Sequence, residues 1–297
     1  MKIPDYHVHP DFGFDARGSI RDYAQAAVAK GLEEICFTTH LDLDPVRAPR
    51  EGWVKVNGAK KPNTDPGWVK SYLEEIEVAR ELFSKAPLRI KAGLEVDYFP
   101  EVEILLEPFL SFPWDFLLAS VHCINHLAVA GEKEGAQLLS VMSPAQVARE
   151  FAAQAKRAIA SGFFNGLAHL DYFKRLRRPG FKEKFLNALK PYLEEILVLL
   201  RETGMALEIN TRGVTKYGLR EPFPGPEIIS LAASLGLEVI TLGSDSHNPY
   251  ELAQDFGEGV SLATKAGLNK VYTFKGGKIE RAFPITEVDP IYAPYPA

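Results

Sequence analysis

Histidines recur along this 297-residue chain at positions suited to metal binding, and six of the seven lie where a predicted β-strand ends. Two acidic residues also lie at such strand ends. Neutral imidazole and carboxylate groups are the usual protein ligands of Zn²⁺, Fe and Mn²⁺. The carboxyl ends of parallel strands meet on one face of a barrel, where barrel enzymes build their active sites. The pattern therefore predicts a multi-metal centre at the mouth of an α/β barrel, formed by His7, His9, His40, Glu95, His122, His169, Asp245 and His247.

Two pairs among these residues are separated by a single position, which strengthens the prediction. His7 and His9 lie on one strand with their side chains on the same face, so both suit one metal. Asp245 and His247 repeat this spacing after the predicted strand 239–242. Each residue alone has a structural alternative, since a pair such as HxH also occurs on surfaces and Glu95 could cap a helix. The coincidence of the whole set with strand ends favours the metal site.

Composition and charge argue against several other classes of protein. The chain is 46% hydrophobic and 25% charged, as in ordinary globular proteins, and no apolar run approaches the length of a membrane span. A net charge of −5 argues against general nucleic-acid binding, which needs a strongly basic surface. Cys36 and Cys123 form no CxxC pair, and we expect both to be buried. The N-terminus carries no secretory signal pattern, so we expect a cytoplasmic protein. We also expect its partner to be a small molecule, and the sequence leaves the oligomeric state open.

The ligand residues must be positioned by elements that alternate along the chain. Short apolar runs alternate with amphipathic stretches throughout, as in a parallel sheet or barrel. Seven strands are predicted before a last one at 270–274, and they span 3–8, 34–39, 88–94, 116–121, 166–169, 205–210 and 238–242. Helices begin after Ser19 and Ser143, and a long helix at 181–202 contains Pro191 as a candidate kink.

Two segments lack a periodic pattern. Residues 41–66 are rich in Pro, Gly, Lys and Asn, which predicts a long functional or mobile loop. Residues 284–297 are rich in Pro and are expected to form an extended tail. Because no segment resembles a linker between domains, we expect one domain over residues 1–297.

The motifs carried by these strand ends resemble those of the polymerase-and-histidinol-phosphatase (PHP) family, and within it the stand-alone histidinol-phosphate phosphatases. The resemblance extends from residue 7 to about residue 279. Its motifs are HxH at 7–9, TH at 39–40, GLExD at 93–97, SVH at 120–122, HLD at 169–171, NT at 210–211 and GSDxH at 243–247. The family implies a distorted (β/α)7 TIM-like barrel with its metal site at the C-terminal face of the strands.

The resemblance also implies how two to three divalent transition metal ions, Zn, Fe or Mn, would be held. A first metal would take His7, His9, Glu95 and Asp245. A second would share Glu95 and add His122 and His169. A third would take His40, His247 and Asp15, the last in a position where many relatives carry histidine. His126 matches no ligand of the family and is expected to be a loop residue.

Such a metal cluster suits phosphomonoester hydrolysis. The phosphate dianion requires positive charge, and metals make hydroxide available at neutral pH. We therefore expect a metal-activated hydroxide to attack phosphorus, with Asp245, Glu95 and His247 as the catalytic residues. The sequence contains no evident Ser/His/Asp or reactive-cysteine arrangement that would form a phosphoenzyme.

Basic residues after two of the strand ends are candidates for binding the substrate phosphate. Lys174 and Arg175 follow His169, and Arg212 and Lys216 follow the strand that ends near residue 210. Residues 177 and 178, both arginines, are expected to be solvated charges. The segment 41–66 is an open candidate for covering the substrate.

Three functions compete at this point. The first is hydrolysis of L-histidinol phosphate to L-histidinol and phosphate, in histidine biosynthesis. The second is a related phosphoesterase that acts on nucleotides or another small phosphate ester. The third is a metal-stabilised, non-catalytic module like the domain fused to bacterial replicative polymerases. The full ligand set argues against the third, and the segment 41–66 together with the SVH-to-HLD arrangement favours the first.

Overall fold

Seven parallel strands form one sheet that curves until its first and last strands approach each other. This computed structural model describes residues 3–176, 178 and 180–285, and in it the strands lie side by side in chain order. Barrel strands one to seven are Pro4–Val8, Glu34–Leu41, Arg89–Asp97, Phe116–Ser120, Gly166–Leu167, Ala206–Asn210 and Ile240–Gly243. A parallel bridge joins Val8 to Ser246, so the sheet is nearly closed. The predicted barrel of seven strands is confirmed.

Helices lie between the strands, and all of them except Ala48–Glu51 bury part of their surface. Among the described residues they span Ile20–Ala29, Ala48–Glu51, Gly67–Leu82, Val102–Leu110, Glu132–Val141, Pro144–Ala160, Phe181–Thr203, Pro226–Ser234 and Phe256–Lys265. Short 3-10 turns lie at Tyr172–Arg175, Thr211–Gly213 and Pro249–Glu251. Ser19 and Ser143 cap their helices with reciprocal side-chain hydrogen bonds, as the sequence predicted. The helix that contains Pro191 is continuous.

Three antiparallel hairpins add to the barrel, and the sequence did not predict them. They pair Trp53–Val56 with Ala59–Pro62, Cys123–Ile124 with Leu127–Ala128, and Lys270–Lys275 with Lys278–Pro284. The prediction of an irregular loop at 41–66 is therefore wrong for much of that segment. Asn57 and Gly58 both have positive φ angles, 51° and 77°, and Asn-Gly is a strong signal for a two-residue hairpin turn.

The hairpin formed by Lys270–Lys275 and Lys278–Pro284 closes one end of the barrel. Phe274 packs on Phe116 with ring centroids 4.9 Å apart, and its backbone N–H donates to the Tyr6 hydroxyl at 2.7 Å. Because Tyr6 and Phe116 come from barrel strands one and four, they can meet only inside the barrel. The first two residues of the expected tail at 284–297 do not extend away from the protein, since Pro284 ends a strand and Ile285 is buried. Residues 286–297 lie outside the described residues.

Among the described residues, no helix combines the length and apolar character that crossing a membrane requires. Cys36 and Cys123 are both buried, and neither is in a disulfide.

Candidate metal centre

Five of the eight predicted ligands at strand ends, all histidines, surround the carboxylate of a sixth, Glu95 on barrel strand three. Glu95 is 1% exposed, and its two oxygens face different imidazoles. Glu95 Oε2 lies near three histidine nitrogens, at 3.2 Å from His7 Nε2, 3.5 Å from His9 Nε2 and 2.9 Å from His40 Nδ1. Glu95 Oε1 lies near two others, at 3.1 Å from His169 Nε2 and 3.6 Å from His122 Nε2. This geometry suits a carboxylate that bridges two cations.

The other side of the cluster is formed by residues after barrel strand seven. Asp245 Oδ1 lies 3.4 Å from His9 Nε2 and 3.9 Å from His7 Nε2. His247 Nε2 lies 3.1 Å from Asp15 Oδ2, which is 3.8 Å from His40 Nε2. Asp245 has a φ angle of 52°, a left-handed conformation that non-glycine residues seldom adopt. Strain of this kind is characteristic of functional sites that the surrounding structure holds in place.

Ligand atoms within 4.8 Å of one another define four overlapping groups that could hold metal ions. One group is the predicted second set, Glu95 with His122 and His169, and another contains three of the four residues predicted for the first, His7, His9 and Glu95 without Asp245. A third joins His7, His169 and Asp245, and a fourth joins His9, His40 and His247. The fourth group includes His9 where the resemblance implied Asp15, although Asp15 lies beside it.

Buried atoms without hydrogen-bond partners show that these residues fit metal ions. Four buried atoms of the predicted ligands neither donate nor accept a hydrogen bond in the structure, namely His7 Nε2, the two ring nitrogens of His9 and Glu95 Oε2. A buried polar atom without a partner is costly, and Glu95 Oε2 lies within 3.5 Å of both His7 Nε2 and His9 Nε2, so these three atoms face one another in the cluster. Coordination to a cation would satisfy them, and imidazole with carboxylate is the donor set of zinc and related metals.

The electrostatics of the cluster also favour bound cations. Burial opposes ionisation of Glu95 and Asp245, yet the imidazole of His7 and further neighbouring groups hold the pKa of both carboxyls well below the usual range. Burial lowers the pKa of His122 to about 3. Burial alone would also lower the pKa of His40, but Glu95 and Asp15 raise it to about 9. Protonation of His40 partly compensates the negative charge of Glu95 and Asp15, and bound metal ions would supply such positive charge in its place.

A cavity of about 530 Å³ lies over the cluster, and both basic and acidic side chains line its walls. Arg175 and Arg212 supply the positive wall. The guanidinium of Arg175 lies 4.7 Å from the ring centroid of Tyr217, and Arg212 Nε donates to the Tyr217 hydroxyl at 3.2 Å. Arg212 also donates to the backbone oxygen of Asp245, so it is tied directly to the cluster. These are two of the four basic residues predicted to bind phosphate.

The structure does not bring the other two basic residues into the cavity. Lys174 is 3% exposed, and its Nζ lies 2.8 Å from Asp171 Oδ2 and 3.0 Å from Glu221 Oε1. Its charge is therefore neutralised inside the protein, and the prediction that it binds substrate is corrected. Lys216 is exposed and pairs with Glu251 at 2.6 Å, outside the cavity lining. Arg178 is also exposed, as expected, and residue 177 lies outside the described residues.

The acidic wall of the cavity comes partly from the segment 41–66. Asp42 and Glu51 line the cavity beside Asp97 and Glu134. Arg47 lines it as well, but its guanidinium donates to the carboxylates of Glu51 and Glu134, the latter at 2.7 Å. Arg47 therefore joins the segment to the helix Glu132–Val141. Its charge is already neutralised by these carboxylates.

Two carboxylates that were not predicted as site residues contact the ligand residues and hold them in position. Glu208 Oε1 lies 2.6 Å from His7 Nδ1, and Asp97 Oδ1 accepts a hydrogen bond from the His122 backbone N–H at 3.0 Å. Glu208 could have been predicted from strand alternation, because it shares a strand face with Asn210, which belongs to the NT motif identified in the sequence. His126, expected to be a loop residue, pairs with Asp44 at 2.6 Å and belongs to none of the metal-ligand groups.

Comparison with known proteins agrees with this geometry. The sequence model of the PHP domain matches residues 5–212. A histidinol-phosphatase from Lactococcus lactis is 31% identical over 285 residues, which are 95% of this chain and 97% of the relative. A probable histidinol-phosphatase from Deinococcus radiodurans is 29% identical over 282 residues, 93% of this chain and 98% of the relative.

A solved structure gives the same result in three dimensions. The histidinol phosphate phosphatase of Lactococcus lactis, complexed with zinc, L-histidinol and phosphate, superposes with a TM-score of 0.76 at 29% identity. The match covers 94% of this chain and 99% of that one. The resemblance inferred from the motifs is confirmed, and this chain belongs to the PHP domain family.

Proposed function

We propose that this chain is a metal-dependent phosphomonoesterase that hydrolyses L-histidinol phosphate to L-histidinol and phosphate. The observation that carries the proposal is the cavity itself. Its floor is a cluster of imidazoles and carboxylates with unsatisfied buried atoms, and its walls carry opposite charges. The relatives that match nearly the whole chain are histidinol-phosphatases, and one of them binds zinc, L-histidinol and phosphate.

The metal centre would hold two tightly bound ions and a third, weaker one. We assign His7, His9, Glu95 and Asp245 to the first, and His122 and His169 with Glu95 to the second. The third would take His40, His247 and Asp15, with His9 close enough to contribute. Divalent ions such as Zn, Fe or Mn, when bound, supply positive charge to a phosphate and lower the pKa of water toward neutrality.

The chain's own cations would bind and orient the phosphate. Arg175 and Arg212 face the cavity from the same side, and Tyr217 holds both guanidinium groups in place. Hydrogen bonds from a guanidinium to phosphate oxygens are charge-assisted and directional. Because Arg212 also donates to the Asp245 backbone oxygen, the phosphate would be held next to the metal ligands. No residue of the described chain is assigned as the acid that protonates the leaving alcohol.

The acidic wall fits the organic part of the substrate. Burial raises the pKa of Asp42 to about 6 and that of Asp97 well above its usual value, although Arg47 Nε lies 3.4 Å from Asp42 Oδ2 and opposes the shift. L-Histidinol carries an ammonium group, which would stabilise these carboxylates in the ionised form. A phosphate at one wall and an ammonium at the other match the charge pattern of histidinol phosphate better than that of a nucleotide.

Steady-state assays against a small panel of esters would test this function. The panel would contain histidinol phosphate, a nucleoside monophosphate, glycerol phosphate and a phosphodiester. We expect the highest kcat/KM for histidinol phosphate, because only this ester carries a cation that can meet the acidic wall. A higher kcat/KM for the nucleotide would favour the related phosphoesterase, and no hydrolysis of any ester would favour a non-catalytic module.

We also propose that residues 1–297 form a single domain. The hairpin at 270–284 supports this, since it packs against the barrel interior and Lys91 on barrel strand three pairs with Glu280 at 2.6 Å.

A further inference from the structure

We propose that Glu208 is a positioning residue that couples the first and second metal sites by fixing one ligand of each. The proposal rests on the proposed metal centre but not on the identity of the substrate. Glu208 lies on barrel strand six, is 1% exposed and does not line the cavity. Any effect it has on the reaction must therefore pass through the residues that it touches.

The first of those residues is His7. Glu208 Oε1 lies 2.6 Å from His7 Nδ1. An ionised carboxylate can only accept hydrogen bonds, so when His7 gives up one proton to bind a metal, the proton that remains must be on Nδ1. The lone pair is then on Nε2, which points at Glu95 Oε2 from 3.2 Å and has no hydrogen-bond partner. Glu208 thus selects the tautomer and the ring orientation that allow His7 to bind a metal.

The second is His169, which is held through its backbone. Glu208 Oε2 accepts the His169 N–H at 2.9 Å. His169 has a φ angle of 25°, outside the conformations that non-glycine residues readily adopt, so its backbone needs such support. Its ring then reaches Glu95 Oε1 at 3.1 Å, on the other side of the bridging carboxylate from His7. One carboxylate therefore fixes ligands of two sites.

The space for this arrangement is provided by barrel strand seven. A Cβ atom at Gly243 would lie 2.2 Å from Glu208 Oε1 and 2.5 Å from the His7 Cβ. Any side chain at this position would therefore displace the carboxylate, the imidazole or both. Asn210 Nδ2 lies 3.3 Å from Glu208 Oε2 and 3.3 Å from Asp245 Oδ2, which links the arrangement to a further ligand.

Glu208→Gln is the substitution that isolates this role. It preserves size, but the two donors face different oxygens of Glu208, and a glutamine has an oxygen at only one of these positions. It can therefore accept from His7 Nδ1 or from the His169 N–H and not from both. Loss of such a supporting hydrogen bond costs about tenfold to a hundredfold in metal affinity. We expect a loss of that size for Zn²⁺, measured on metal-free protein by competition with a chromophoric chelator.

Glu34→Gln is the matched control. Glu34 is a fully buried carboxylate on barrel strand two, where it accepts hydrogen bonds from Tyr6 and from Arg89 Nε, the latter at 2.7 Å. It precedes His40 by six positions, roughly 20 Å along a strand. We expect Glu34→Gln to lower the unfolding temperature of the metal-free protein and to leave Zn²⁺ affinity unchanged.

The results separate a positioning role from a merely structural one. Zn²⁺ affinity of Glu208→Gln within twofold of the parent would overturn the proposal, as would an equal loss in Glu34→Gln. If Glu208→Gln does not fold, the imidazole ¹⁵N spectrum of the Zn²⁺-loaded parent decides, with His7 assigned from His7→Gln. A proton on Nδ1 supports the proposal, and a proton on Nε2 alone overturns it. A parent that binds Zn²⁺ but hydrolyses no ester would refute the proposed function and leave this inference standing.

Discussion

Replacing Arg175 or Arg212 by alanine tests whether the positive wall of the cavity binds the substrate phosphate. Both guanidinium groups line the cavity, but they differ in exposure. Arg212 is 9% exposed at its side chain and is bound to the Asp245 backbone, while Arg175 is an exposed residue held by Tyr172 and Tyr217. Solvent weakens the interaction of an exposed charge, so we expect the larger loss for Arg212.

The size of the loss follows from the strength of charge-assisted hydrogen bonds. Each contributes about 1.5–3 kcal/mol, and about 1.4 kcal/mol corresponds to a factor of ten. Arg175→Ala should therefore lower kcat/KM for histidinol phosphate about tenfold, and Arg212→Ala about a hundredfold. Steady-state kinetics at saturating metal would measure both losses, and circular dichroism would show that the variants are folded.

Lys216→Ala and Arg178→Ala are the controls, because both side chains are exposed and neither lines the metal cavity. Each should retain kcat/KM within about twofold of the parent, as exposed charges contribute little. If Arg175→Ala and Arg212→Ala also hydrolyse histidinol phosphate like the parent, the positive wall does not bind phosphate. The metal ions or the segment 41–66 would then have to position the substrate.

Two further substitutions separate the roles of individual charges. Asp245→Ala removes a predicted ligand and should lower kcat by at least about two orders of magnitude while the far-ultraviolet circular dichroism stays unchanged; near-normal turnover would remove Asp245 from the centre. Lys174→Met leaves Asp171 buried without its cation and should cost about 3–5 kcal/mol of unfolding free energy in urea titrations. A tenfold loss of kcat/KM in Lys174→Met without lost stability would instead restore it to the substrate site.

The strands and the ligand set could be predicted from the sequence because both are local signals. A ligand that directly follows an apolar run is placed at the barrel mouth by the strand itself, as at His122 and His169. Parallel order then brings strand ends together without any knowledge of side-chain contacts. This is why the predicted ligands converge around Glu95 in the structure.

The basic residues were harder to assign, because adjacent positions in a short turn face different surroundings. Lys174 and Arg175 share the 3-10 turn Tyr172–Arg175, yet one is buried against acids and the other faces the cavity. Distance along the chain from His169 does not distinguish them. The acids that neutralise Lys174 include Glu221, which is 47 residues away, and no local pattern indicates that pairing.

The hairpin within 41–66 was missed for a different reason. Its strands alternate over only four residues each, which is too short for a periodic pattern, and the second strand is fully exposed. The turn at Asn57 and Gly58 was the usable signal. The supporting contact of Glu208 to His7 depends on strands one and six approaching each other across the barrel, which only the folded structure shows.

The metal content of active protein is the most direct test of the proposed account. Mass spectrometry would give the number of transition-metal ions per chain in a preparation whose turnover of histidinol phosphate is measured in parallel. We predict two to three ions per chain, loss of activity on chelation, and recovery with Zn²⁺, Fe or Mn²⁺. Protein that hydrolyses histidinol phosphate while containing no transition metal would contradict the account.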